Sequence, residues 1–240
     1  MPPRKIHLIT GQYYHIYIRA IDGARVFEQK ENRERMRSLL IYYLPSYPVI
    51  SYSLFLELHP KTRKTLLRQA EYIDRRVDVL SNSTMPTHLH LILYQNTDNG
   101  ISSYMQCVLN GFTRYYNILT GRKGPLWESR FHSVPIYTSD QLRYLTAYLH
   151  LNPVTAGLVE TPEEWEYSSY NSYLIPHKKD LLASFHDHLD IDPSEYKKYV
   201  YDNIQPMKKL AKEKKDFRDG NSLPGNRSYE VKNPTITVKV

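Results

Sequence analysis

The chain has 240 residues, 41% of them hydrophobic and 24% charged, which suits a globular domain with an appendage and excludes a disordered or low-complexity protein. A net charge of +7 and a pI near 9.2 point to a polyanionic partner, and residues 197–218 hold eight Lys or Arg against three Asp or Glu. Cys107 stands alone, so no internal disulfide can form, and neither a signal-like segment after MPPRK nor a membrane-length apolar run is present; the chain reads as cytoplasmic, with no membrane partner.

QYYHIYIRA alternates Tyr14, Ile16 and Ile18 with Tyr13, His15, Tyr17 and Arg19, the pattern of a half-buried strand, and Asp22-Gly23 closes it with a turn. EQKENRERMRSLLIYYL sets Met36, Leu39, Leu40 and Tyr43 on one stripe and predicts a helix over 28–44. SYSLFLEL reads as a short apolar strand or buried connector. Pro60 then opens a helix with Leu66, Leu67, Ala70 and Ile73 inward.

RRVDVLSNS has the period of a strand, and STMPT folds it back on HLHLILYQ as a hairpin. ISSYMQCVLNGFTRYYNILTG carries a helical stripe of Met105, Val108, Leu109, Phe112 and Tyr116, capped by Gly121. GRKGPLWESRFHSVPIY is a basic turn leading into a strand. TSDQ has the form of a capping box before the helix LRYLTAYLHL, which Asn152-Pro153 is expected to stop or bend. Strands interleaved with helices predict an α+β fold, one antiparallel sheet with helices on one face, over residues 1–175. Residues 176–240 read as a basic extension, helical at first and mobile beyond Phe217, and the charge run within it is equally that of a solvated helix.

Chemistry enters at MPTHLHLIL. Alternate residues of a strand share a face, so His88 and His90 stand side by side with Leu89, Leu91 and Leu93 turned away, and two imidazoles on one face can hold a metal ion. Tyr148 and Asn152 lie four apart and share a helical face if the helix persists that far, offering a hydroxyl and an amide oxygen together. Arg114, Arg122, Lys123, Arg130 and His132 are candidate phosphate-binding residues.

The set MPTHLHLIL, GPLWESRF, YLHLNPVTAGLV and WEYSSYNSY, over about residues 7–173, resembles the HUH-superfamily tyrosine transposases, and within them the REP-associated tyrosine transposase branch. The resemblance implies a ferredoxin-like (RRM-like) palm, His88 and His90 on a central strand as ligands of a divalent cation, Asn152 as the third ligand and Tyr148 on a facing helix as nucleophile. It implies a transposase that nicks and rejoins single-stranded DNA beside a hairpin through a 5′-phosphotyrosine. Family members usually have Asn where Thr87 stands, and an apolar run where this chain has Ser81-Asn82-Ser83-Thr84.

Two neutral imidazoles and one amide oxygen suit Mg²⁺ or Mn²⁺ better than a closed structural zinc site, which takes four ligands and often thiolates. Strand transfer through a covalent intermediate needs no nucleotide cofactor. The expected partner is single-stranded or hairpin DNA, met by a monomer rather than a homodimer. The alternative is a catalytically idle regulator that binds hairpin DNA, and an SDS-resistant protein–DNA adduct separates the two.

Overall fold

The computed structural model describes residues 7–46, 50–175, 185 and 188–218. The chain runs β1 (Tyr13–Arg19), α1 (Lys30–Tyr42), α2 (Tyr52–Glu57), α3 (Pro60–Ala70), β2 (Val77–Met85), β3 (His88–Gln95), α4 (Gly100–Thr120), β4 (His132–Ile136), α5 (Ser139–Thr155), α6 (Tyr170–Leu174), α7 (Pro193–Asp202) and α8 (Ile204–Arg218). The four strands form one antiparallel sheet in the order β2-β3-β1-β4. With α1 and α4 as the two crossovers, this is the βαββαβ plan of a ferredoxin-like α+β fold, and the His-x-His strand β3 lies inside the sheet.

The two faces of the sheet carry separate cores. Tyr14, Ile16, Ile18, Leu89, Leu91 and Leu93 point to one side and pack against Met36, Leu39 and Leu40 of α1 and Met105, Val108 and Phe112 of α4. On the opposite side Leu80, Ile92 and Ile136 meet Leu142, Leu149, Leu151 and Val154 of α5, with Tyr170, Tyr173, Tyr196 and Val200 behind. The palm helices therefore cover one face, as the alternation predicts, and α5 to α8 add a second helical layer over the other. The extension read from 176 onward thus contributes to that second core: Tyr196, Tyr199 and Val200 of α7 and Met207 of α8 are buried. The segment from 219 on, expected to be a mobile tail, lies outside the described residues.

Three local expectations are corrected. SYSLFLEL is the helix α2, because Ser51 caps it through Leu54 N–H and the i,i+3 pair Tyr52 and Phe55 packs on Tyr42 at 5.0 and 4.9 Å. The helix α3 forms with Pro60 at its start, yet none of its residues is buried and Leu67 is 49% exposed, so its apolar stripe does not face inward. The helix α5 does not stop at Asn152 but continues through Pro153 to Thr155. Proline inside a helix costs about 3 kcal/mol. Burial of Pro153 and Val154 in the second core offsets it, and Pro153 lies close to the helix end.

The expected cap of α5 forms, since Thr138 Oγ1 accepts from Gln141 N–H at 3.1 Å. The Gln141 side chain reaches one residue further back than a capping box requires, to Tyr137 N–H at 2.9 Å. Gly121 adopts φ +66° as the left-handed cap of α4. Along β2, the edge strand, Thr84 N–H donates to Tyr167 O at 2.9 Å, Ser169 N–H to Asn82 O at 3.0 Å and Trp165 Nε1 to Thr84 O at 3.2 Å. Among the described residues no helix is long and apolar enough to cross a membrane.

The first residue of the polar run Ser81–Thr84 belongs to a buried polar cluster. Ser81 Oγ and Ser169 Oγ lie 3.1 and 2.8 Å from Nε2 of His150, and Tyr196 OH lies 2.7 Å from its Nδ1. His150 is fully buried, and burial pushes its pKa down from the usual 6.5 to about 3. Below pH 6.5 the unfolded chain binds a proton at this histidine that the folded chain refuses, so stability falls with pH. From pH 7 to pH 5 this single group removes about 2 kcal/mol. Urea unfolding at the two pH values is expected to show that loss reduced by the same amount in His150→Gln, which keeps hydrogen-bonding groups without titrating.

Candidate active site

The second face of the sheet brings His88, His90, His132 and Tyr148 together. Antiparallel pairing sets Arg19 opposite His88 and Tyr17 opposite His90, while Tyr17 also faces His132 of β4. Because β1 alternates, His15, Tyr17 and Arg19 project on the same side as the two histidines. The rings of His88 and His90 are 4.9 Å apart and nearly perpendicular, at 85°. Tyr148 descends on them from α5, its ring 6.2 Å from His90 and 6.4 Å from His15, edge-on to both. Asn152 follows one helical turn later on the same helix, which is unbroken between the two residues.

Hydrogen bonds occupy the inner nitrogen of each imidazole. His90 Nδ1 lies 3.0 Å from His15 Nε2, and His88 Nδ1 lies 2.8 Å from Thr87 Oγ1. Each contact leaves Nε2 as the remaining ring nitrogen. Burial holds all three histidines neutral, His15 and His88 at a pKa of about 4 and His90 well below its ordinary value; Arg19 adds to the depression at His88. Neutral imidazole is the form that ligates a metal. Burial, reinforced by Tyr144, raises the Tyr148 phenol above 10, while Arg19 opposes the rise. Tyr148 is thus a phenol at neutral pH, and its ionisation calls for positive charge nearby.

Asn152 is 8% exposed, and its Nδ2 has no hydrogen-bond partner among the described residues. An unpaired buried amide is costly. Oxygen and nitrogen of a side-chain amide are near-isosteric, so exchanging them sets an acceptor oxygen in the unpartnered position. The open Nε2 atoms of His88 and His90 and an amide oxygen of Asn152 are donors of the kinds that ligate divalent cations. Among the described residues no three His, Cys, Asp or Glu side chains are grouped to hold a metal ion.

The five candidate phosphate-binding residues separate. Arg114 is exposed on α4, which covers the other face of the sheet, so it does not join the histidines. Arg122 turns back on its own loop, donating to Pro125 O at 2.8 Å, beside an exposed Lys123. That loop is tied to the end of β1 by Ile21 N–H to Leu126 O and Glu128 N–H to Arg19 O, which brings it toward the Arg19 end of the site. Arg130 is exposed just before β4. His132 joins the site floor by stacking on Tyr17 at 4.7 Å and 11°.

His15, Tyr17, Arg19 and Thr87 belong to the site without having been singled out as candidates. The alternation of QYYHIYIRA already puts three of them on one face. The absent signal was which strand β1 pairs with, because only pairing with β3 sets that face directly beside the histidines.

No known family model matches the chain, and no curated protein does. Solved structures do match. The chain is similar to a REP-associated tyrosine transposase bound to a REP hairpin, with 16% identity and a TM-score of 0.51 over 76% of this chain and 90% of that chain. It is also similar to tRNA(His) guanylyltransferase from Saccharomyces cerevisiae, with 10% identity over 93% of this chain and 85% of that chain, at a TM-score of 0.37, too loose to build on. The α+β fold, with its four-stranded antiparallel sheet, is that of the tyrosine transposase.

Proposed function

We propose that the chain is an HUH-type tyrosine transposase of the REP-associated kind, nicking and rejoining single-stranded DNA beside a hairpin. The observation that carries the reading is the neutral, crossed pair His88 and His90 with Tyr148 facing it from α5, 6.2 Å from His90 ring to ring. The solved tyrosine transposase of the same fold is bound to a DNA hairpin, which supports DNA as the partner.

His88, His90 and Asn152 would hold one Mg²⁺ or Mn²⁺. Such a cation, when bound, withdraws charge from a non-bridging phosphate oxygen and favours the phenolate. Tyr148 Oη then forms a bond to phosphorus as the bond to the 3′ oxygen breaks; the phenol gives up its proton and the departing 3′ oxygen takes one. The 5′ phosphate stays on Tyr148, so the bond energy is conserved for rejoining and no nucleotide cofactor is consumed. Arg19, exposed beside His88, supplies fixed positive charge to the phosphate and to the developing phenolate. The deciding experiment incubates the protein with a hairpin carrying a single-stranded flank and Mn²⁺, then separates in SDS. A covalent adduct supports the reading, and retained hairpin binding without one marks an idle DNA-binding regulator.

The basic run also has a DNA role in this reading. Lys197 is engaged by Glu163 at 3.0 Å, and α7 is part of the core, so its cations cannot be tested by deletion. Lys208, Lys209 and Lys212 are exposed on α8. Replacing these three with Gln is expected to lower the log-log salt slope of single-stranded DNA binding by about 0.7 for each phosphate that is no longer neutralised. An unchanged slope would leave α8 a solvated helix.

A further inference from the structure

We propose that His15 is a positioning residue that sets the tautomer of His90, an inference resting on the metal-site reading above. The observation is the buried contact of 3.0 Å between His15 Nε2 and His90 Nδ1, with ring planes 17° apart. Both residues are less than a tenth exposed, so water does not compete freely for either nitrogen.

A neutral imidazole carries one N–H. The contact therefore exists in two forms. Where His15 Nε2 donates, the His90 proton sits on Nε2 and that nitrogen cannot ligate. Where His90 Nδ1 donates, His15 Nε2 accepts and His90 Nε2 carries a lone pair. Only the second form fits a ligand, so binding of a cation selects it, and the hydrogen bond then raises the basicity of the ligating nitrogen. His88 needs no such selection by a second ring, because a hydroxyl, Thr87 Oγ1, holds its Nδ1 and can accept as readily as donate. His15 is not placed as a ligand itself, since its Nε2 is spent on His90.

The requirement is thus an acceptor at the position of His15 Nε2, which His15→Gln can supply and His15→Phe cannot. Mn²⁺ titration of the full chain by calorimetry is expected to show affinity reduced about 10- to 100-fold in His15→Phe. His15→Gln should regain most of it. Thermal unfolding of the cation-free variants reports any purely structural effect, which would move melting without moving affinity. Nitrogen NMR of the wild-type protein gives a second reading, the proton of His90 moving to Nδ1 as Mg²⁺ is added. Equal Mn²⁺ affinity in His15→Phe and wild type, or a His90 proton that rests on Nε2 with Mg²⁺ bound, overturns the proposal. Complete loss of binding in both variants also overturns it, by making His15 a ligand. Wild-type protein that binds no Mn²⁺ defeats the metal-site reading itself, and the proposal with it.

Discussion

Tyr148→Phe is expected to bind the hairpin like the wild type and to form no covalent adduct, with cleavage reduced at least about a thousandfold. The substitution removes one oxygen and keeps the ring that packs edge-on against His15 and His90, so the site should hold its shape. Tyr144 lies one turn earlier on α5 and Tyr115 lies on α4 across the sheet, where its hydroxyl donates to Asn32 Oδ1 at 3.2 Å. Tyr144→Phe and Tyr115→Phe should therefore still form the adduct, on the 5′ side of the break, leaving a free 3′-hydroxyl. Burial keeps the Tyr148 phenol above its ordinary pKa, so adduct formation in wild type should rise with pH above neutrality. Peptide mapping of the adduct to any other tyrosine would sink the assignment, as would an adduct in Tyr148→Phe.

His88→Ala and His90→Ala are each expected to stop cleavage, to the level seen with chelator, because Lewis-acid stabilisation of the reacting phosphate is worth several kcal/mol, about 10³-fold in rate. The two should differ in folding. His88 is only partly buried, so its loss should leave the melting temperature nearly unchanged, whereas His90 is 6% exposed and its removal leaves His15 Nε2 without its partner. Cleavage rate and thermal unfolding measured together separate the effects. Undiminished cleavage in the double variant would rule out these histidines as the catalytic pair.

Periodicity made most of the fold legible. The alternation in QYYHIYIRA and HLHLILYQ and the stripe of the long helix α4 each correspond to an element in place, and together they specify a sheet with one apolar face. Alternation says which residues share a face but not which strands are neighbours, so His15 and Arg19 were readable as a row without being readable as part of the histidine site. The second helical layer was hidden for another reason. Its contacts join Ser81 of β2, His150 of α5 and Tyr196 of α7, residues far apart in the chain whose polar character looks like surface until they meet. Pro153 misled in the same manner, because a local rule for ending helices was outweighed by burial that only the packed structure reveals. The metal and nucleophile roles came from motif resemblance, and geometry adds that His88, His90 and Tyr148 converge.

The backbone bonds that residues 165–169 make along β2 have a consequence for self-association. An edge strand with free N–H and C=O groups is a template on which a second chain can add a strand, and long flat edges aggregate. Here the Asn82–Thr84 end of the β2 margin is already occupied, by backbone bonds from Tyr167 and Ser169 and by the Trp165 indole. The other margin is β4, five residues long, and Pro135 removes a donor at its fourth residue. Among the described residues the end of β2 at Asn82–Thr84 is therefore already paired within the chain, and β4 offers a second chain only a short, proline-interrupted edge.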